Sequence, residues 1–198
     1  MPRFSITLTN RQRRMRIDRR LLIRLARLVL QQEQIAAAEI SVAILDDAAI
    51  HAVNRQFLDH DFPTDVISFL LDCNMVEGAA NGSSEMTAAA TRAKMAATGK
   101  KPKTAGASPS RVRRGAAKAI EGEVVISAET AAGNAARYGT SPQDELALYL
   151  VHGLLHLCGY DDLTPQEKRL MRTRESEALA RSGIVLPCRR GHRTTSKM

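Results

Sequence analysis

Apolar and polar residues alternate over Phe4-Ser5-Ile6-Thr7-Leu8, the two-residue period of a half-buried strand. The period then changes. Leu21, Leu22, Leu25, Leu28, Val29 and Leu30 recur at helical spacing, which predicts an amphipathic helix over roughly 18–34 with arginines on its wet side. Ile40-Ser41-Val42-Ala43-Ile44-Leu45 reads as a second strand, and Asp46-Asp47 as the cap of a helix through Ile50, Val53 and Phe57. A polar turn follows, broken by Pro63. Val66-Ile67-Ser68-Phe69-Leu70-Leu71 is apolar at nearly every position and predicts a central strand covered on both faces. Gly122 to Ser127 predicts a fourth strand, and Ala128 to Tyr138 a short Ala-rich helix. Thr164-Pro165-Gln166-Glu167 is a capping box that opens a last helix ending near Gly183. Strands and helices interleave, so the fold class is α/β.

The chemistry concentrates in the helix between these last two. Ser141-Pro142-Gln143-Asp144 reads as a helix start, with Ser141 as cap and Pro142 at the first position. Gly159 suits a left-handed helix end. His152 and His156 therefore stand four apart on one helical face, about 6 Å apart along the axis. Two neutral imidazoles so placed can grip one small cation at about 2.0–2.1 Å each. Asp162, just past the glycine turn, is the candidate third ligand, and Asp161 is either a carboxylate that orients a ligand imidazole or part of the turn. A pair of buried, hydrogen-bonded core histidines is the competing explanation. No other polar group shares the helix face of the pair, which favours the metal. Gly153 follows the first histidine, where zincin peptidases carry their Glu general base. His51 and His60 read as surface or packing residues, and Cys158, on the opposite side of the helix, as a packing thiol.

Charge divides the chain unevenly. The net charge is +8, yet residues 1–20 carry +6, residues 77–118 carry +7 and residues 187–198 carry +4, leaving an acidic body of −9. Basic appendages on an acidic body suit a polyanion such as nucleic acid. Residues 77–118 are rich in Ala, Gly, Ser, Thr, Lys and Arg and lack aromatics, so they read as a disordered insertion that could touch RNA. The domain is then formed by residues 1–76 and 119–186, with a loose basic tail at 187–198. No apolar run is long enough for a membrane span, and the Met-Pro-Arg-Phe start lacks a signal core. Three cysteines without Cys-x-x-Cys spacing suggest reduced thiols in the cytosol.

Three blocks carry a resemblance: Pro63-Thr64-Asp65-Val66-Ile67-Ser68-Phe69, Gly122-Glu123-Val124-Val125-Ile126-Ser127, and His152-Gly153-Leu154-Leu155-His156-Leu157-Cys158-Gly159-Tyr160-Asp161-Asp162. In order and spacing, the insertion aside, they resemble the YbeY family of bacterial endoribonucleases. The resemblance implies a small mixed sheet surrounded by helices, with a zincin-like metal helix. It implies one zinc ion per chain, with another divalent metal as the alternative, and no nucleotide cofactor. It implies a cytoplasmic hydrolase of single-stranded RNA that matures the 3′ end of small-subunit ribosomal RNA, takes part in ribosome quality control, and works on or beside the ribosome.

Two positions depart from the family pattern. Asp162 stands where the family usually has a third histidine; a carboxylate is a competent ligand at about 2.0–2.2 Å and shifts preference toward harder metals such as manganese. Leu58 stands where the family commonly has an arginine for phosphate, and Arg55, one turn earlier, is the candidate substitute. Arg111, Arg113 and Arg114 of the insertion are further candidates for RNA contact. Two other functions fit the same residues: a metallohydrolase of another class, such as a peptidase, and a ribosome-associated protein whose metal is structural or lost.

Overall fold

The computed structural model describes residues 2–58, 64–76 and 117–187. His60, Cys188, Arg111, Arg113, Arg114, most of the insertion and the basic tail lie outside the described residues. The chain runs β1 (Arg3–Asn10), α1 (Arg19–Gln32), β2 (Ile35–Leu45), α2 (Asp47–Leu58), β3 (Val66–Val76), β4 (Ala117–Ser127), α3 (Ala128–Tyr138), α4 (Pro142–Cys158) and α5 (Pro165–Arg181). The four strands form one mixed sheet in the order β1-β2-β4-β3. β1, β2 and β4 are parallel, and β3 returns antiparallel to β4. The α/β class and the mixed four-stranded sheet agree with the expectation. β4 begins at Ala117, five residues before Gly122, where the strand was expected to start.

One expectation is corrected. Val66–Leu71 belongs to the outermost strand, not a central one, and β4 takes the centre. The apolar run has a different cause. Ile67 and Phe69 pack against α2 on one face, while Val66 joins the main core on the other. A strand can thus be covered above and below and still have an open side. Leu70 and Leu71, further along, are exposed.

α4 is the axis of the molecule. Leu146, Leu150, Leu154, Leu155 and Leu157 are fully buried, and they meet α1, α3, α5 and the sheet. Their burial removes most of five leucine side chains from water, each worth about 1.5–3 kcal/mol. The helix lies close on β4 because Gly153 has no side chain. A Cβ there would come within 2.7 Å of Val124 Cγ1. That contact explains the glycine in the zincin glutamate position: the residue after His152 faces the sheet. At the start, Ser141 Oγ accepts from the Asp144 N–H at 3.0 Å. At the end, Gly159 adopts φ 102°, a left-handed turn that favours glycine. The turn returns the chain toward His156.

α2 covers the opposite face of the sheet with a smaller core of Leu45, Ile50, Ile67 and Val125. Asp46 Oδ1 caps it through the Ala49 N–H at 2.8 Å. Asp47 receives the hydroxyls of Ser127 and Thr130, and Glu129 Oε2 accepts from the Asp47 N–H at 3.0 Å. These reciprocal bonds tie the starts of α2 and α3 together.

Candidate functional site

His152 and His156 are both half-buried, and their rings cross nearly at right angles with centroids 4.6 Å apart. Each ring is held from behind. His152 Nδ1 lies 2.7 Å from Glu175 Oε1 of α5. His156 Nδ1 lies 3.0 Å from the carbonyl oxygen of Tyr160, in the turn after Gly159. A carboxylate and a carbonyl only accept, so both Nδ1 atoms donate. With both rings neutral, both Nε2 atoms are bare lone pairs facing each other at 3.0 Å. A proton held between them, favoured by Glu175 behind His152, or a metal ion removes that repulsion. Two nitrogens binding one tetrahedral ion at about 2.0–2.1 Å would stand about 3.3–3.4 Å apart, within a few tenths of the observed spacing. The donor set therefore fits a metal ion.

The charges around the pair are asymmetric. Burial lowers the His152 pKa, but the Glu175 hydrogen bond and charge, helped by Asp162 and Asp65, outweigh it and raise the net value. His156 is lowered by burial and by His152, against the pull of the Tyr160 carbonyl, Asp162 and Asp161. Asp162 is thus within electrostatic reach of both rings. Among the described residues, however, no three His, Cys, Asp or Glu side chains are gathered closely enough to enclose an ion. Asp161 accepts from the Asp162 N–H at 2.7 Å, which is a turn contact. The imidazoles are oriented by Glu175 and Tyr160 instead. The expectation that nothing polar shares the histidine face is corrected accordingly.

The support continues outward. Tyr160 O–H donates to Glu33 Oε2 at 2.8 Å, at the end of α1, and the Arg174 guanidinium lies 6.0 Å from the Tyr160 ring centre. Burial and the neighbouring Glu33 push the Tyr160 phenol up to about 12. Lys118 Nζ donates to the Cys158 carbonyl at 2.9 Å, closing the end of α4. Cys158 packs against the main core, and burial with the charge of Glu33 pushes its thiol up to about 12. The packing role expected for it stands, and no disulfide joins Cys73 or Cys158.

The pair opens onto a cleft of about 420 Å³ whose walls include Asn54 of α2, Thr64, Asp65, Ser68 and Leu70. Thr64 and Asp65 come from the turn before β3. Asp65 Oδ1 accepts from the Val66 N–H at 2.9 Å, and the Asp65 backbone oxygen accepts from the Ser127 N–H at 2.9 Å. The turn is thereby locked to the end of β4, with its carboxylate beside the histidines. Thr64-Asp65 and the histidine pair are 80-odd residues apart in the chain but line one cleft. Arg55 lies exposed on α2, and His51 is half-buried there. Glu175 had no signal as a site residue: its placement depends on how α5 docks.

A helix-borne histidine pair, backed by acceptors and opening on a cleft at the edge of a mixed sheet, marks an α/β protein with a candidate metal centre. The comparisons make this specific. The family model for endoribonuclease YbeY matches residues 7–183. The endoribonuclease YbeY of Rhodopirellula baltica is 36% identical over 172 residues, covering 82% of this chain and 67% of that protein. That of Pelotomaculum thermopropionicum is 34% identical over 184 residues, covering 91% and 98%. That of Chloroflexus aggregans is 35% identical over 170 residues, covering 85% and 90%. The chain belongs to the endoribonuclease YbeY family. No helix among the described residues is long and apolar enough to cross a membrane.

Proposed function

We propose that the cleft is the active site of a single-strand-specific, metal-dependent endoribonuclease that matures the 3′ end of small-subunit ribosomal RNA and serves ribosome quality control in the cytoplasm. The observation that carries the metal dependence is the two Nε2 atoms facing each other at 3.0 Å with both Nδ1 atoms already committed. His152 and His156, with Asp162 from the adjoining turn, would hold one zinc ion. When bound, that ion supplies Lewis-acid chemistry for phosphodiester hydrolysis.

The chain's own groups do the remaining work. Glu175 and the Tyr160 carbonyl fix which nitrogen of each ring is presented to the cleft. The Asp65 carboxylate, on the cleft wall, is placed to take a proton from the attacking water. Thr64 and Ser68 add hydroxyls there. Arg55, with Arg111, Arg113 and Arg114 of the insertion, would neutralise RNA phosphates, giving an affinity that falls steeply with salt.

One observation favours a second reading. With Asp162 outside any three-residue cluster, the metal could be a staple in a ribosome-associated protein rather than a catalyst. Two experiments decide. Purified protein is offered an unstructured RNA and casein side by side with zinc or manganese, and metal content is measured for wild type, His156→Ala and Asp162→Ala. RNA cleavage lost in His156→Ala, without proteolysis, supports the proposal. Wild type that never cleaves RNA while His156→Ala unfolds supports the staple.

A further inference from the structure

Near the end of α2, the Phe57 side chain is 63% exposed, although the chain has only four phenylalanines and no tryptophan. The ring is not loose. It meets Phe69 of β3 edge-on, with centroids 5.8 Å apart and planes at 66°. Phe69 is itself packed on the core of Ile50, Ile67 and Val125. An aromatic surface is thus propped from one side and left open to water on the other.

Its position relates it to the cleft. Asn54, one helical turn before Phe57, lines the cleft together with His152 and His156. Ile67, two residues before Phe69 and on the same face of β3, lines it too. The ring therefore continues, one helical turn on, from an α2 residue of the cleft wall and rests on the β3 face that Ile67 shares. We propose that Phe57 is a stacking platform for an unpaired nucleobase of the RNA that enters this cleft. The inference deepens the endoribonuclease reading and rests on it.

The chemistry supports that ligand over an apolar peptide. Every nucleobase has a π face, and stacking on an aromatic side chain weakens when lost by about 5- to 150-fold in affinity per base, with little sequence preference. In a duplex both faces of each base are already stacked, so only an unpaired base can use the ring. A single platform next to the cleavage centre thus supplies preference for single strands without reading sequence. It also positions one nucleotide relative to the histidines, whereas phosphate contacts alone would let the strand slide.

The absence of tryptophan makes the test direct. Phe57→Trp introduces a single reporter, to be titrated with an unstructured ten-nucleotide RNA and with an abasic strand of equal length and charge. Binding is followed in parallel by anisotropy of a labelled strand. The expected result is saturable quenching by the base-bearing strand over the range where anisotropy rises, and none by the abasic strand. Phe57→Ala should weaken the base-bearing strand by at least fivefold and leave the abasic strand unchanged, while Phe57→Tyr retains affinity. RNA bound with no change in emission and no loss in Phe57→Ala overturns the platform alone, and marks the exposed ring as a contact for another protein. Wild type that neither binds nor cleaves the RNA overturns the endoribonuclease reading and the platform with it.

Discussion

The carboxylate behind His152 sets how tightly the pair can hold an ion. Glu175 Oε1 lies 2.7 Å from His152 Nδ1, and the two side chains are only 14% and 26% exposed. Glu175→Ala removes an acceptor that the ring cannot replace from water without turning. A hydrogen bond to a charged group is worth about 1.5–3 kcal/mol. Part of that holds the ring with Nε2 toward His156 and part raises the basicity of Nε2. Loss of such a backing group lowers metal affinity by about 10- to 100-fold, or about 1.4–2.7 kcal/mol. Glu175→Gln keeps an acceptor oxygen but not the charge, so its affinity should fall only severalfold. The assay is competition for zinc against a chromophoric chelator at neutral pH, with melting of the metal-free proteins as a control for folding. An Ala variant that holds zinc within twofold of wild type would refute the assigned role. Equal loss in Ala and Gln variants would place the effect in charge alone.

Three further expectations follow from geometry. Gly153→Ala drives a methyl toward the fully buried Val124, so overpacking of about 1–3 kcal/mol should exceed the helix-propensity gain of about 1 kcal/mol, lowering the urea midpoint; a raised midpoint would show that α4 can lift off the sheet. Cys158, its thiol pushed up to about 12, has a thiolate fraction on the order of one part in ten thousand at pH 8 and should resist iodoacetamide while exposed Cys73 is labelled, as read by peptide mass spectrometry; equal labelling contradicts the raised thiol. Tyr160 is a raised acid, so its contribution to stability is complete below its ordinary value of 10.0 and is lost as pH climbs to about 12. Wild type should accordingly lose melting temperature more steeply than Tyr160→Phe over that window, and parallel curves would remove the Glu33 bond from the account.

What could be read from the chain is what depends on near neighbours. The Ser141 cap, the Thr164–Glu167 capping box and the left-handed Gly159 are local chemistry, and all three occur as expected. The His152–His156 spacing is set by a single helix, so its convergence needed no knowledge of the rest. Glu175 is 23 residues from its imidazole, and only the docking of α5 on α4 brings it there. Tyr160 and Glu33 are 127 residues apart. The error over β3 has the same origin. An apolar run reports that two faces are covered, and it is silent on whether a strand has one lateral neighbour or two. The Phe57–Phe69 contact likewise joins a helix to a strand, which no periodicity predicts.

The glycine that lets α4 lie on β4 has a chemical consequence. A zincin-like helix normally carries its proton acceptor next to the first histidine, but here a Cβ at that position would come within 2.7 Å of Val124 Cγ1, which leaves no room for a carboxylate. The acceptor must come from another wall of the cleft. Asp65 qualifies by position: it lines the cleft with both histidines, and its charge reaches His152. Its Oδ1 is engaged by the Val66 N–H, a bond that an amide oxygen can also accept. Asp65→Asn therefore preserves the turn and removes the base. If Asp65 accepts the proton, RNA cleavage at saturating RNA should fall by about 100-fold or more while zinc content and RNA affinity stay near wild type. Joint loss of zinc and cleavage would reassign Asp65 as the missing third ligand, the place at present given to Asp162. Unchanged cleavage would remove it from the chemistry and leave the proton to a group outside these walls.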